Sequence, residues 1–238
     1  MTRIIEILGF VCQGVTEPVF CRAEDGHEYV VKGNYAGRRA LIAEWVAGRL
    51  GRLLGLPIPE CELLELDPLL VDYSIQKREV AHLGRGTLFG SRRVLNVVEV
   101  RSADRPLIDL TLRAKVLAFD WWISNPDRNW SEDAGNPNLL WCEEPQKLVV
   151  MDHNLAFSPS RMTTFWDDHV FREARLAWSQ TFCDAMSASF GNALGELVSI
   201  WDELPDDWVE LEGELTIEVI DAMLRKFIGS PEAFWGPR

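Results

Sequence analysis

The chain has 238 residues, 47% of them hydrophobic and ten of them tryptophan, which is enough apolar material for a sizeable core and excludes a disordered chain. Its 37 acidic and 24 basic residues leave a formal charge of −13, which argues against non-specific binding to nucleic acid or to an anionic membrane, since both need a basic face. The five cysteines, at positions 12, 21, 61, 142 and 183, are scattered and form no CxxC, so they predict buried thiols in a reducing, cytoplasmic compartment. No apolar run reaches the ~20 residues of a membrane-spanning helix, and Met1-Thr2-Arg3 leads into a strand-like segment instead of a signal peptide.

Residues 4–12 and 16–23 are β-rich and separated by Gln13-Gly14-Val15, and a third run, Glu28 to Lys32, follows the turn Glu24-Asp25-Gly26. This pattern predicts an antiparallel meander. From Arg39 to Leu54, Ile42, Trp45, Val46, Leu50 and Leu53 recur with helical period, and Gly55 and Pro57 stop the helix. Ala40, Ala47, Gly48 and Gly51 surround Glu44, so that carboxylate can approach a neighbouring sheet closely. Cys61 to Leu66 and Leu69 to Gln76 read as two more strands around an Asp67-Pro68 turn, and the glycine-rich Ala81 to Gly90 as a connector. Pro106 to Ser124 reads as a buried helix, almost wholly apolar from Val116 to Ile123 apart from Asp120. Asn125 to Gly135 is polar loop, Asn138 to Cys142 and Lys147 to Met151 form a hairpin, and helical stretches follow near 169–190, 192–203 and 216–228. Trp121, Trp122, Trp166, Trp178, Trp201, Trp208 and Trp235 read as packing residues.

Several residues carry little weight singly and more in order. Lys32 ends an apolar strand, and Glu44 sits on the next helix at a spacing suited to an ion pair. Asp127 lies in Asn125-Pro126-Asp127-Arg128-Asn129, which is also ordinary turn chemistry. Asp152 directly follows Leu148-Val149-Val150-Met151, where a carboxylate emerges from a buried strand, and Asn138 leads into the preceding strand. Asparagine and aspartate there offer the hard oxygen donors that Mg²⁺ takes together with phosphate and water. Phosphoryl transfer needs this set: one carboxylate on the attacking hydroxyl, and an amide oxygen and a second carboxylate on the metal.

With Lys32, the Glu44 helix ending in Gly55-Leu56-Pro57-Ile58-Pro59, Leu88-Phe89-Gly90-Ser91, Asn125-Pro126-Asp127-Arg128, Asn136-Pro137-Asn138-Leu139-Leu140 and Asp152-His153-Asn154-Leu155-Ala156-Phe157, the chain resembles the HipA-like kinase family over roughly residues 5 to 160. The layout is also similar to that of phosphatidylinositol 3- and 4-kinases. The resemblance implies an α+β, bilobal protein-kinase-like fold, with an N-lobe (residues 1–85) of antiparallel sheet plus helix and a mainly helical C-lobe (86–238). It implies that Lys32 binds ATP phosphates and pairs with Glu44, that Asp127 is the catalytic base, and that Asp152 and an asparagine hold Mg²⁺. Kinases place that asparagine about five residues after the catalytic aspartate. Here Asn136 and Asn138 stand nine and eleven residues beyond Asp127; Asn138 is preferred because it adjoins the strand. Gln13, Gly14, Val15 and Thr16 would cover the phosphates with a single glycine. Arg128 is placed either to orient Asp127 or to meet a phosphate, and His153 to support the metal loop. The expected activity is ATP- and Mg²⁺-dependent transfer to a hydroxyl of a protein serine or threonine; a small-molecule acceptor and a nucleotide-binding pseudokinase or regulatory module are the alternatives. A further protein partner is left open.

Overall fold

The computed structural model describes residues 1–11, 16–130, 137–209 and 215–236. Strands β1 (Thr2–Phe10), β2 (Val19–Ala23) and β3 (Glu28–Lys32) form the predicted antiparallel meander. Two later strands, β4 (Cys61–Leu66) and β5 (Leu88–Arg92), close it into a barrel of order β1-β2-β3-β5-β4, with β4 parallel to β1. The period-two alternation of the strands sends Ile4, Val19, Cys21, Val31, Leu64 and Leu88 into a small interior core. Because β5 pairs with both β3 and β4, the barrel runs past residue 85 to Arg92, and the end of the glycine-rich segment read as a connector supplies the start of this strand.

Helix α1 (Arg38–Leu53) packs against the outside of this barrel as its periodicity predicts. The segment after Asp67 departs from expectation. It forms α2 (Pro68–Tyr73), not a strand, because the Asp67 side chain accepts the Leu69 N–H at 2.8 Å and Pro68 occupies the first turn. An Asp-Pro pair satisfies an N-cap as well as a turn, and here capping wins. Helix α3 (Lys77–Leu83) follows and ends against the turn after β3, where a Cβ on Gly33 would overlap the Leu83 carbonyl oxygen.

A three-stranded antiparallel sheet contains β6 (Val97–Glu99), β7 (Leu139–Cys142) and β8 (Lys147–Val150). The buried helix α4 spans Leu110–Trp122, shorter than the predicted 106–124: Pro106 lies in a preceding 3-10 turn, and the Asp109 carboxylate caps the helix by accepting the Leu112 N–H at 3.0 Å. The C-terminal part is cut more finely than the predicted three stretches, into α5 (Phe165–Asp168), α6 (Gln180–Gly195), α7 (Leu197–Asp202), α8 (Asp206–Val209), α9 (Ile217–Leu224), α10 (Lys226–Gly229) and α11 (Pro231–Trp235). A 3-10 turn at Arg172–Ala177 and the Ser179 cap divide the first of these stretches.

The tryptophans build the main core, as expected. Trp122 stacks on Phe190 at 4.3 Å and donates its indole N–H to the Leu224 carbonyl at 2.9 Å. Trp45 of α1 donates to Ile200 O at 3.3 Å and Trp208 of α8 to Thr87 O at 3.1 Å, tying the C-terminal helices to α1 and to the start of β5. Cys21, Cys61, Cys142 and Cys183 are buried. Among the described residues no helix is long and apolar enough to cross a membrane.

Candidate active site

A cleft of about 340 Å³ lies between the barrel and the three-stranded sheet. Strand register explains its barrel wall. Phe20 pairs with Val30, Val30 with Ser91, and Ser91 with Cys61, so four adjacent strands present one row of side chains to the cleft. Two residues further along β3, Lys32 pairs with Phe89 and faces the same way. Glu44 and Gly48, one helical turn apart, turn the matching face of α1 inward. A Cβ on Gly48 would lie 3.0 Å from Cys61 Sγ, so the small residues around Glu44 do permit the close approach that the sequence predicts. Leu140, Val149 and Met151 form the opposite apolar wall.

At the inner end of the cleft three charges meet. Lys32 Nζ donates to Glu44 Oε1 at 2.5 Å and to Asp152 Oδ1 at 2.7 Å, and the lysine is 5% exposed. Burial acts against its charge, but attraction to the two carboxylates outweighs burial and holds Lys32 protonated, above its ordinary range. Burial likewise raises Glu44, with Lys32 opposing. In Asp152 burial is outweighed by Lys32, and the carboxyl lies below its usual range. Glu44 Oε2 also accepts the backbone N–H of His153 at 2.9 Å, so one helical carboxylate holds both the lysine and the Asp152 loop.

Asp127 stands beside this group. Its Oδ2 accepts from Asn138 Nδ2 at 3.0 Å, and its own N–H donates to Asn125 Oδ1 at 3.3 Å. Partial burial raises its pKa; the Asn138 hydrogen bond opposes this, and the negative charge of Asp152 adds to it. Asn138 and Asp152 both line the cleft, and both adopt left-handed backbone angles, with φ of 50° and 56°. Such conformations cost about 1–3 kcal/mol each in non-glycine residues, less for Asn and Asp, and persist where surrounding contacts over-determine them.

Those contacts come from a buried network centred on Asp120. Its Oδ2 accepts from Arg128 Nε at 2.7 Å and lies 3.0 Å from His169 Nε2, while its Oδ1 accepts from Asn125 Nδ2 at 2.9 Å. Arg128 then donates to three carbonyls, Pro137 O at 3.2 Å, Asn138 O at 2.7 Å and Met151 O at 3.2 Å. One guanidinium therefore holds the carbonyls of Pro137 and Asn138 around one left-handed residue and that of Met151 just before the other. His153 completes the network: burial and the adjacent Arg128 drive its pKa down to about 3, leaving a neutral ring whose Nε2 accepts from Arg128 Nη2 at 3.2 Å. The donors of Arg128 thus point at Asp120, at His153 and at the three backbone carbonyls.

The structure thus brings together Lys32, Glu44, Asp127, Asn138 and Asp152. Gln13, Gly14, Val15 and Asn136 lie outside the described residues. Thr16 is described and half-buried; its carbonyl oxygen lies 3.2 Å from His82 Nε2, and the nearby cleft wall is formed by Val11 and Pro18. Asp120 and His169 were missed as site residues. The interruption of an apolar helix by Asp120 was the available signal, whereas nothing in the local sequence marks His169. Asp152 and Asn138 supply a carboxylate and an amide, a donor set that fits Mg²⁺ completed by phosphate and water.

The family model for HipA-like kinases matches residues 4–237. The chain belongs to the HipA-like kinase family. The match reaches well beyond residue 160, where the recognisable motifs end, so the C-terminal helices belong to the family domain too. Among solved structures this HipA-like kinase is similar to the Helicobacter pylori proinflammatory kinase CtkA, with a TM-score of 0.52 and 11% identity over 96% of this chain and 92% of that one. At that identity the likeness shows a kinase-like fold and nothing finer. No curated protein matches the chain.

Proposed function

We propose that this HipA-like kinase uses ATP and Mg²⁺ to phosphorylate a hydroxyl, with a protein serine or threonine as acceptor. The observation that carries the reading is the convergence of Lys32, Glu44 and Asp152 at the end of an apolar cleft, with Asp127 reached through Asn138. The apolar walls suit a purine, and Lys32 suits the α- and β-phosphates. Asp152 and Asn138 would hold Mg²⁺, which supplies charge neutralisation on the phosphate oxygens when bound.

Asp127 takes the acceptor's hydroxyl proton as the oxygen attacks the γ-phosphorus. The bond from that phosphorus to the β,γ-bridging oxygen breaks, and ADP leaves with that electron pair. A carboxyl whose pKa is raised by burial is the stronger base for this task, and Asn138 orients it. Arg128 and Asp120 keep the Asp127 and Asp152 segments at a fixed separation. The barrel with α1 and α3 acts as one lobe, and the residues beyond Arg92 as the other. Buried, scattered cysteines suit a reducing cytoplasm, and the net charge of −13 suits an acceptor that is neither nucleic acid nor a lipid surface.

Incubation of host lysate with γ-labelled ATP and Mg²⁺ tests the proposal. Label should reach a protein serine or threonine with the wild type and be absent with Asp127→Asn. Label on a small molecule would replace the protein acceptor, and equal transfer by both proteins would remove Asp127 from the mechanism.

A further inference from the structure

Helix α1 begins with Arg38-Arg39 and has no acidic residue in its first turn. That is the reverse of what a helix dipole favours, since its N-terminal end carries partial positive charge and prefers carboxylates. A local rule broken in this way calls for a compensating contact elsewhere. For Arg39 the contact lies 117 to 119 residues away: its Nη2 donates to Ala156 O at 3.1 Å, to Phe157 O at 3.0 Å and to Ser158 Oγ at 2.8 Å.

The segment it grips is the one that carries Asp152. Left-handed non-glycine residues stand at both ends, Asp152 with φ 56° and Phe157 with φ 59°, so the segment depends on outside ties for its shape. One side is pinned to the end of α4, where Phe157 N–H donates to Ile123 O at 2.7 Å and Ser158 N–H to Ser124 O at 3.1 Å. The other side is pinned to α1 twice, by Glu44 on the His153 N–H at 2.9 Å and by Arg39 on the three acceptors beyond it. Glu44 and Arg39 therefore hold the two ends of the Asp152 segment against one rigid helix.

From this geometry we infer that Arg39 is a positioning residue for the metal-binding carboxylate. It seats the segment from Asp152 to Ser158 on α1, so Asp152 reaches its place on Mg²⁺ only when α1 is docked. The inference rests on the proposed phosphoryl-transfer reading, and it adds a second tie to the Lys32–Glu44 pair. A guanidinium suits the role because its planar fork stays charged and reaches several carbonyls from one side chain.

The test uses the full chain without nucleotide and measures amide hydrogen exchange in wild type, Arg39→Met, Arg39→Lys and Arg38→Met. Calorimetric titration of ATP at several Mg²⁺ concentrations follows. In Arg39→Met, exchange of residues 153–158 should rise by about tenfold or more, the loss expected for charge-assisted hydrogen bonds, while exchange in α6 stays at the wild-type rate. The Mg²⁺ concentration for half-maximal ATP binding should rise with it. Arg39→Lys should fall between the two, and Arg38→Met, which removes a neighbouring charge but none of these contacts, should match wild type. Unchanged exchange in Arg39→Met would overturn the inference. So would equally faster exchange in α6 with a lower melting temperature, because Arg39 would then support only the fold. Wild type that binds no ATP at any Mg²⁺ concentration would overturn the kinase reading itself, an outcome distinct from either of these.

Discussion

Replacing Asp120 by asparagine removes one negative charge and almost no volume from a cluster sealed off from solvent. The side chains of Asp120 and Arg128 are 0% exposed and that of His169 is 1% exposed, so water cannot compensate for the lost charge. Breaking a buried ion pair by neutralising one partner costs about 3–5 kcal/mol, and because asparagine retains a carbonyl acceptor for Arg128 the lower end, about 3 kcal/mol, applies. For a chain of this length that corresponds to a fall in melting temperature of about 6–12 °C. The pH dependence follows from the sign of the shift. Burial alone would raise the Asp120 carboxyl, but Arg128 and His169 outweigh burial and hold it below the usual carboxylate range. Its stabilisation is therefore complete above the unfolded pKa of about 3.9 and is lost as pH falls through the folded value. Urea unfolding of wild type and Asp120→Asn should show a constant gap from about pH 5 to 8 that narrows only in strong acid. A difference below about 1 kcal/mol at pH 7, the size of a solvent-exposed pair, would refute the claim that this network braces the site.

Three further outcomes follow from the same geometry. Asp127→Asn should raise the melting temperature of the nucleotide-free protein: a pKa raised on folding gives stability that is present at low pH and lost as pH rises through the folded value, so the ionised group destabilises at neutral pH. Differential scanning fluorimetry across a pH series should show no gain in acid below the unfolded carboxylate value of about 3.9, and a gain that grows as pH rises through the folded value of Asp127. Lys32→Met leaves the buried Glu44 and the partly exposed Asp152 without their shared cation, at a cost of about 3 kcal/mol at neutral pH that shrinks on acidification as the carboxyls take up protons; urea melts from acid to neutral pH measure it. Gly33→Ala forces a methyl into the Leu83 carbonyl and should destabilise by about 1–3 kcal/mol, with faster hydrogen exchange confined to α3 and the turn after β3.

The candidate site residues were legible because each belongs to a short, strongly patterned segment. Lys32 ends an apolar strand, Glu44 sits among small residues on a helix, and Asp152 follows a run of aliphatics. Strand register and helix period then carry these side chains to one cleft. The residues that hold them were not legible, because their partners are remote in sequence: Asp120 meets His169 across 49 positions, and Arg39 meets Ala156 across 117. Short elements failed for another reason. Pro68–Tyr73 is apolar and only six residues long, so periodicity does not separate strand from helix, and the Asp67 cap decides. The strand Leu88–Arg92 was hidden by Gly90, where a Cβ would overlap a Leu64 methyl group of the neighbouring strand.

The central claim is that two neighbouring aspartates have different tasks, Asp127 on the acceptor hydroxyl and Asp152 on the metal. Its most direct test is calorimetric titration of ATP, with and without Mg²⁺, into wild type, Asp127→Asn and Asp152→Asn, alongside γ-phosphoryl transfer by each protein. Asp127→Asn should bind ATP with the wild-type response to Mg²⁺ and transfer nothing, whereas Asp152→Asn should lose the Mg²⁺ response itself. Loss of the Mg²⁺ response in Asp127→Asn, or its retention in Asp152→Asn, would contradict the division.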